Sequence, residues 1–271
     1  METVFSAVVF ATITDALCVV HGLRAQHALD PQLCAVLHCV KRVQSQRFSS
    51  SYADVLQHRD WGFAAQFFLD ELYADKDFSA RDTQFERIAP RIERFFPKSV
   101  NNVALTLARL HALSEQLDDA MARQLLAQLQ SHTDFTTKTV ADCVISTDFL
   151  DTFCQNNYVA AWRRVAQRPA RESQLALALQ LGHELTKITQ IAGLGTMLRM
   201  MRGPAGAAGL RHLQLFLERG FVTFATMQRS ASGASGFLAT VQEREAQWIA
   251  RLFNAAASPL AHSDGDTAPI S

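Results

Sequence analysis

Bulky apolar residues return every three or four positions through almost the whole chain, and that spacing excludes most folds. The clearest stretch holds Phe85, Ile88, Ala89, Ile92, Phe95 and Phe96, which fall on one face of a helix turning about 100° per residue. Strict alternation, the mark of a half-buried strand, is hard to find. The predicted class is all-α, a single large helical bundle of about nine to ten helices with short loops.

Punctuating residues divide the pattern. Asp30-Pro31 is an N-cap followed by proline at the first helical position, ahead of the stripe Leu33, Val36, Leu37, Val40 and Val43. Serines 49–51 break that helix, a short turn covers 52–56, and Trp61, Ala64, Ala65, Phe68 and Leu72 mark the next. Ser79 and Asp82 form a variant capping box for the helix of Phe85, inside which Pro90 predicts a kink near Glu86. Pro97 ends it. Ser99 then opens the longest helix, expected to reach Gln130 with Val103, Leu107, Leu110, Ser114, Leu117 and Met121 on one face.

Beyond it, the polar residues 131–139 predict a loop, followed by two shorter helices over 140–153 and 157–167, the second closed by Pro169. Residues 171–190 are apolar on more than one side, as in a helix surrounded by others. Gly193 and Gly195 break it, and Gly203-Pro204 restarts the chain as a helix expected to bury Leu210, Leu213, Leu217, Phe221 and Phe224. Residues 237–253 form the last helix.

Residues 3–20 are mostly apolar, but Glu2 stands where a signal peptide carries positive charge, and Asp15 interrupts the run. The expectation is neither a leader nor a membrane anchor. Residues 1–30 are read as an apolar N-terminal extension, 31–254 as the helical domain and 255–271 as a disordered tail without an apolar stripe.

Lys plus Arg and Asp plus Glu both number 26, so no long-range field draws the chain to nucleic acid or an anionic membrane. The five cysteines (Cys18, Cys34, Cys39, Cys143 and Cys154) are scattered, with no Cys-x-x-Cys pair. They are expected to be reduced, mostly buried thiols of a cytoplasmic protein.

Three polar groups are candidates for chemistry. His111, Glu115 and Asp118 lie at i, i+4 and i+7 on the long helix and project from one strip bordering its apolar face. A metal could use them, although the di-iron pattern needs Glu-x-x-His, which the sequence lacks; a buried network fixing helix register, with an Arg partner from a neighbour, is the plainer account. Arg81, with Asp77 and Asp82 beside the acidic Asp70 and Glu71, either ties two helices together or binds a ligand. Arg199 and Arg202 precede a helix start at Pro204, where an anion could sit, while Gly206 and Gly209 suggest close helix packing. His183 is read as a core histidine. No nucleophile elbow, P-loop or His-Glu-x-x-His occurs, so no catalytic residue is assigned and the cofactor is unknown.

Taken in order, Phe67-Phe68-Leu69-Asp70-Glu71-Leu72-Tyr73, Asp77-Phe78-Ser79-Ala80-Arg81-Asp82, Leu110-His111-Ala112-Leu113-Ser114-Glu115-Gln116-Leu117-Asp118, Met201-Arg202-Gly203-Pro204-Ala205 and Phe216-Leu217-Glu218-Arg219-Gly220-Phe221 resemble a family of uncharacterised bacterial proteins, a domain of unknown function. The resemblance spans about residues 48–253 and implies an all-helical cytoplasmic protein without lending it an activity. The expectation is a non-catalytic helical protein that binds a protein partner or a small ligand. The alternative is a metal- or cofactor-dependent enzyme built on His111, Glu115 and Asp118.

Overall fold

Local signals start most of the helices, and long-range contacts decide which faces they bury. The computed structural model describes residues 10–132 and 147–254. In α1 (Ile13–Leu29) Thr12 closes a reciprocal capping box: its hydroxyl accepts from the Asp15 N–H at 3.1 Å, and the Asp15 carboxylate accepts from the Thr12 N–H at 3.1 Å. Asp30 caps α2 (Pro31–Ser51) through the Leu33 N–H at 3.0 Å, with Pro31 at its first turn. The short α3 (Ala53–Leu56) and α4 (Gly62–Glu71) lead to α5 (Ser79–Phe95). The expected Ser79/Asp82 capping box does not form. Asp77 takes the Ser79 N–H at 2.8 Å instead, and Asp82 turns inward. The helix runs on through Pro90, which lies on its exposed side.

The central element is α6 (Lys98–His132), a rod of 35 residues flanked by α1, α2, α5, α7 and α8. Its Leu117, Met121 and Leu125 are fully buried. Most of the predicted loop and the start of the helix expected after it lie outside the described residues. The chain re-enters as one helix, α7 (Thr147–Val165), in place of two: Asn157 starts nothing, and its side chain bonds the Phe153 carbonyl at 2.9 Å in mid-helix. A left-handed Ala166 turns the chain, and Pro169 opens α8 (Arg168–Ile188) instead of closing the helix before it. Nor is α8 the surrounded helix: Leu175, Leu177 and Leu179 are half-buried, and His183 is exposed.

After a left-handed Gly193 come α9 (Leu194–Met200) and the six-residue α10 (Arg202–Ala207). Gly209, at φ 67°, breaks the chain again, so the long helix expected from Pro204 begins later, as α11 (Arg211–Gln228). That shift changes its inner face to Leu213, Phe216, Phe224 and Met227, and leaves Leu217 exposed. A Cβ on Gly206 would meet open space, so no close helix packing requires a glycine there. Closer approaches between helices occur at Gly182, where a Cβ would sit 2.4 Å from the Leu238 side chain, and at Gly220, where it would sit 3.2 Å from the Phe67 ring. The last helix is α12 (Gly233–Asn254).

Most of the buried side chains form two large clusters. One joins α1, the end of α2, α3, α4, α5, α11 and the starts of α6 and α12 around Ile13, Phe48, Tyr52, Phe68, Phe224 and Phe237. The other joins α2, α7 and the distal parts of α6 and α12 around Leu33, Val40, Met121, Leu125, Trp162 and Ile249. Residues 13–29 are therefore part of the core. Ile13, Ala16, Leu17 and Val20 are buried; Glu93 accepts the Ile13 N–H at 2.7 Å, and Arg109 holds the Phe10 carbonyl at 2.6 and 2.8 Å. Among the described residues no helix is long and apolar enough to cross a membrane. Of the four described cysteines, Cys39 and Cys154 are buried, Cys34 is half-buried and Cys18 is exposed; Cys143 lies outside the described residues.

Candidate functional site

Where the two clusters meet, the packing opens into a cavity of about 140 Å³. Phe48, Phe85 and Phe216 reach it from the first cluster, and Tyr158, Trp162 and Ile249 from the second. Between these apolar walls lies an unusual amount of charge. Each helix contributes through helical spacing: Lys41, Gln44 and Arg47 from α2, His111, Ser114, Glu115 and Asp118 from α6, and Arg171 and Gln174 from α8.

Asp82, at the start of α5, is the centre of the first network. It accepts from His111 Nε2 at 2.7 Å, from Arg24 Nη2 at 2.6 Å and from Arg81 Nε at 3.2 Å. Burial pushes its pKa up, but the His111 hydrogen bond and the charges of His111, Arg81 and Arg24 outweigh burial and hold the carboxyl well below the usual range. The Arg81 guanidinium lies between two rings, 4.2 Å from the Phe78 centroid and 4.7 Å from that of Phe216, and also reaches Glu71 at 3.4 Å.

Along the same strip of α6, Glu115 takes Lys41 Nζ at 2.9 Å, and Asp118 takes Gln44 Nε2 at 2.8 Å. The two acids differ. Burial opposes ionisation of Glu115, but Lys41 overcomes it and lowers the pKa; for Asp118 burial prevails against Lys41 and Arg171, and the pKa is raised. Opposite them, Glu245 of α12 accepts from Arg47 at 2.5 Å and from the Tyr52 hydroxyl at 3.0 Å. Arg47 also stands over the Tyr73 and Trp248 rings, at 5.5 and 5.3 Å.

Arg171 differs from the other cations. It is 5% exposed and rests 4.1 Å over the Trp162 ring. Nη1 donates to the Gln174 amide oxygen at 3.2 Å, but Nη2 has no partner, and neither has the Trp162 indole N–H. Among the described residues Arg171 forms no ion pair, and burial pulls its pKa down despite Tyr158 and Asp118. Each unmet donor of this kind costs about 1–3 kcal/mol.

The sequence candidates therefore separate. His111, Glu115, Asp118 and Arg81 all line the cavity. Arg199 and Arg202 do not: Arg202 makes a bidentate pair with Glu218, and Arg199 reaches only the Thr196 hydroxyl at 3.3 Å, both on the surface. Glu115 pairs with Lys41 of α2, while Arg24 and Arg81 meet Asp82, the partner of His111. Each group of the His111 strip is held by its own partner, and among the described residues no set of three or more His, Cys, Asp or Glu side chains converges as a metal would require. Sequence reasoning missed Lys41, Arg47, Arg171 and Glu245. The first two sit three residues either side of Gln44, beside the apolar stripe of α2, the same bordering pattern that singled out His111.

A family model described as Domain of unknown function (DUF8198) matches residues 23–259. No curated protein and no solved structure matches the chain.

Proposed function

We propose that the chain, which belongs to the DUF8198 family and takes no activity from that membership, is a binding protein for a small molecule held in the cavity between α2, α5, α6, α8 and α12. The observation that carries this reading is that buried ion pairs and aromatic faces surround a hollow where a core of this size would otherwise close. Unfilled space and desolvated charge both cost stability, and a concave apolar lining with a few convergent polar groups is how small-molecule sites are built. An engineered cavity of about 150 Å³ holds benzene, so the buried part of the ligand is about one ring in size. A non-catalytic role is supported by the pairings: Asp82, Glu115 and Glu245 are each committed to a cation of their own. A cytoplasmic setting fits the free thiols.

The test is to denature freshly purified protein and examine the released small molecules by mass spectrometry, beside an Ala178→Leu variant that fills the cavity wall. A compound released by the parent and depleted at least tenfold in the variant supports the reading; identical extracts sink it. The metal-dependent enzyme would require His111, Glu115 and Asp118 to leave Asp82, Lys41 and Gln44. Elemental analysis finding a stoichiometric transition metal would restore that alternative.

A further inference from the structure

We infer that the ligand of this cavity carries a single carboxylate on a planar ring, and that the carboxylate is received by Arg171 and Trp162. The inference rests on the small-molecule binding role proposed for the cavity and specifies its chemistry.

Asp82 has Arg24 and Arg81, Glu115 has Lys41, Glu245 has Arg47, and Glu71 has Arg81; Asp118 acts on Arg171 without forming an ion pair with it. Arg171 alone among the cavity's arginines and its lysine is without an ion-pair partner among the described residues. The Arg171 Nη2 and Trp162 Nε1 donors are both buried and both unmet, and Arg171 Cζ stands 4.1 Å from the centroid of the Trp162 ring. Two unmet N–H donors on neighbouring side chains offer one hydrogen bond to each oxygen of a carboxylate, and the charge of the guanidinium strengthens its own.

The rest of the wall narrows the class. Glu115 and Asp118 share the lining, so a doubly charged phosphate would meet more repulsion than a singly charged acid. Trp162, Tyr158 and Trp248 bound the same space, and aromatic walls suit an aromatic body.

The probes are benzoate, indole-3-carboxylate, benzamide and phenyl phosphate, each titrated into the full chain and followed by calorimetry and tryptophan emission. Two of the three tryptophans line the cavity. The acids should bind at least tenfold more tightly than benzamide or phenyl phosphate. Arg171→Met should remove the preference for acids and leave benzamide binding unchanged, and Trp162→Phe, which keeps the ring and deletes the N–H, should weaken only the acids. Circular dichroism of both variants verifies that they fold, and Trp162→Phe serves if Arg171→Met does not. Equal affinity for benzoate and benzamide, or acid binding that survives both substitutions, overturns the carboxylate assignment while leaving a binding site in place. Failure of all four probes, together with identical parent and Ala178→Leu extracts, overturns the binding role itself and leaves water as the partner of the two donors.

Discussion

Asp82 and Arg171 face the same cavity with opposite fortunes. Asp82 is surrounded by cations that keep it ionised against burial, so it contributes stability above the ordinary carboxyl value of 3.8, and that contribution is lost as pH falls through its lowered folded value. Asp82→Asn should cost about 3 kcal/mol in urea denaturation at pH 7, where it leaves Arg81 and Arg24 under-neutralised, and clearly less near pH 2. An equal cost at both pH values would refute the linkage. For Arg171 burial prevails over Tyr158 and Asp118, and no ion pair holds it among the described residues. Arg171→Met keeps much of the volume and removes a desolvated charge, and should raise stability by about 1 kcal/mol after the lost cation–π contact is counted; a loss of similar size in the same measurement would contradict this. A group whose removal stabilises the fold is expected where a site holds it in place for binding. The His111 strip was legible from sequence because i, i+4 and i+7 is a local relation. Its partners were not, because Lys41 meets Glu115 across 74 residues and no local pattern encodes that.

Among the helices, α1 is the clearest case of composition misleading. A mostly apolar stretch at the chain's start looks like an appendage, yet Thr12 and Asp15 form a capping box and the face of Ile13, Leu17 and Val20 is covered by α5 and α6. Burial of those side chains contributes about 1.5–3 kcal/mol apiece, and the sum is comparable to the whole stability of a typical domain. A chain starting at Asp30 should therefore lose cooperative thermal unfolding and aggregate; a sharp transition in calorimetry would show that α1 is dispensable. At α11 the apolar period was legible but its phase was not. The left-handed Gly209 delays the helix start, and contacts with α4 and α5, including Phe67 against Gly220, select which apolar residues turn inward.

Over the whole molecule, α6 and α12 pass through both apolar clusters and bind them into one unit across the cavity. Leu125→Ala in the second cluster should cost about 3 kcal/mol and lower the midpoint for both clusters together. Emission from Trp61, the tryptophan of the first cluster, isolated by Trp162→Phe and Trp248→Phe, should then follow the same denaturant curve as the helical signal. Two separated curves would mean that the clusters unfold independently.

The distance along the chain between charged partners also matters during synthesis. Arg47 meets Glu245 across 198 residues, so a nascent polypeptide leaving the ribosome carries α2 for most of translation with that arginine still hydrated. The inner wall is finished only when the last helix has emerged, and a truncated product ending before α12 should be recognised by cellular proteases as incomplete.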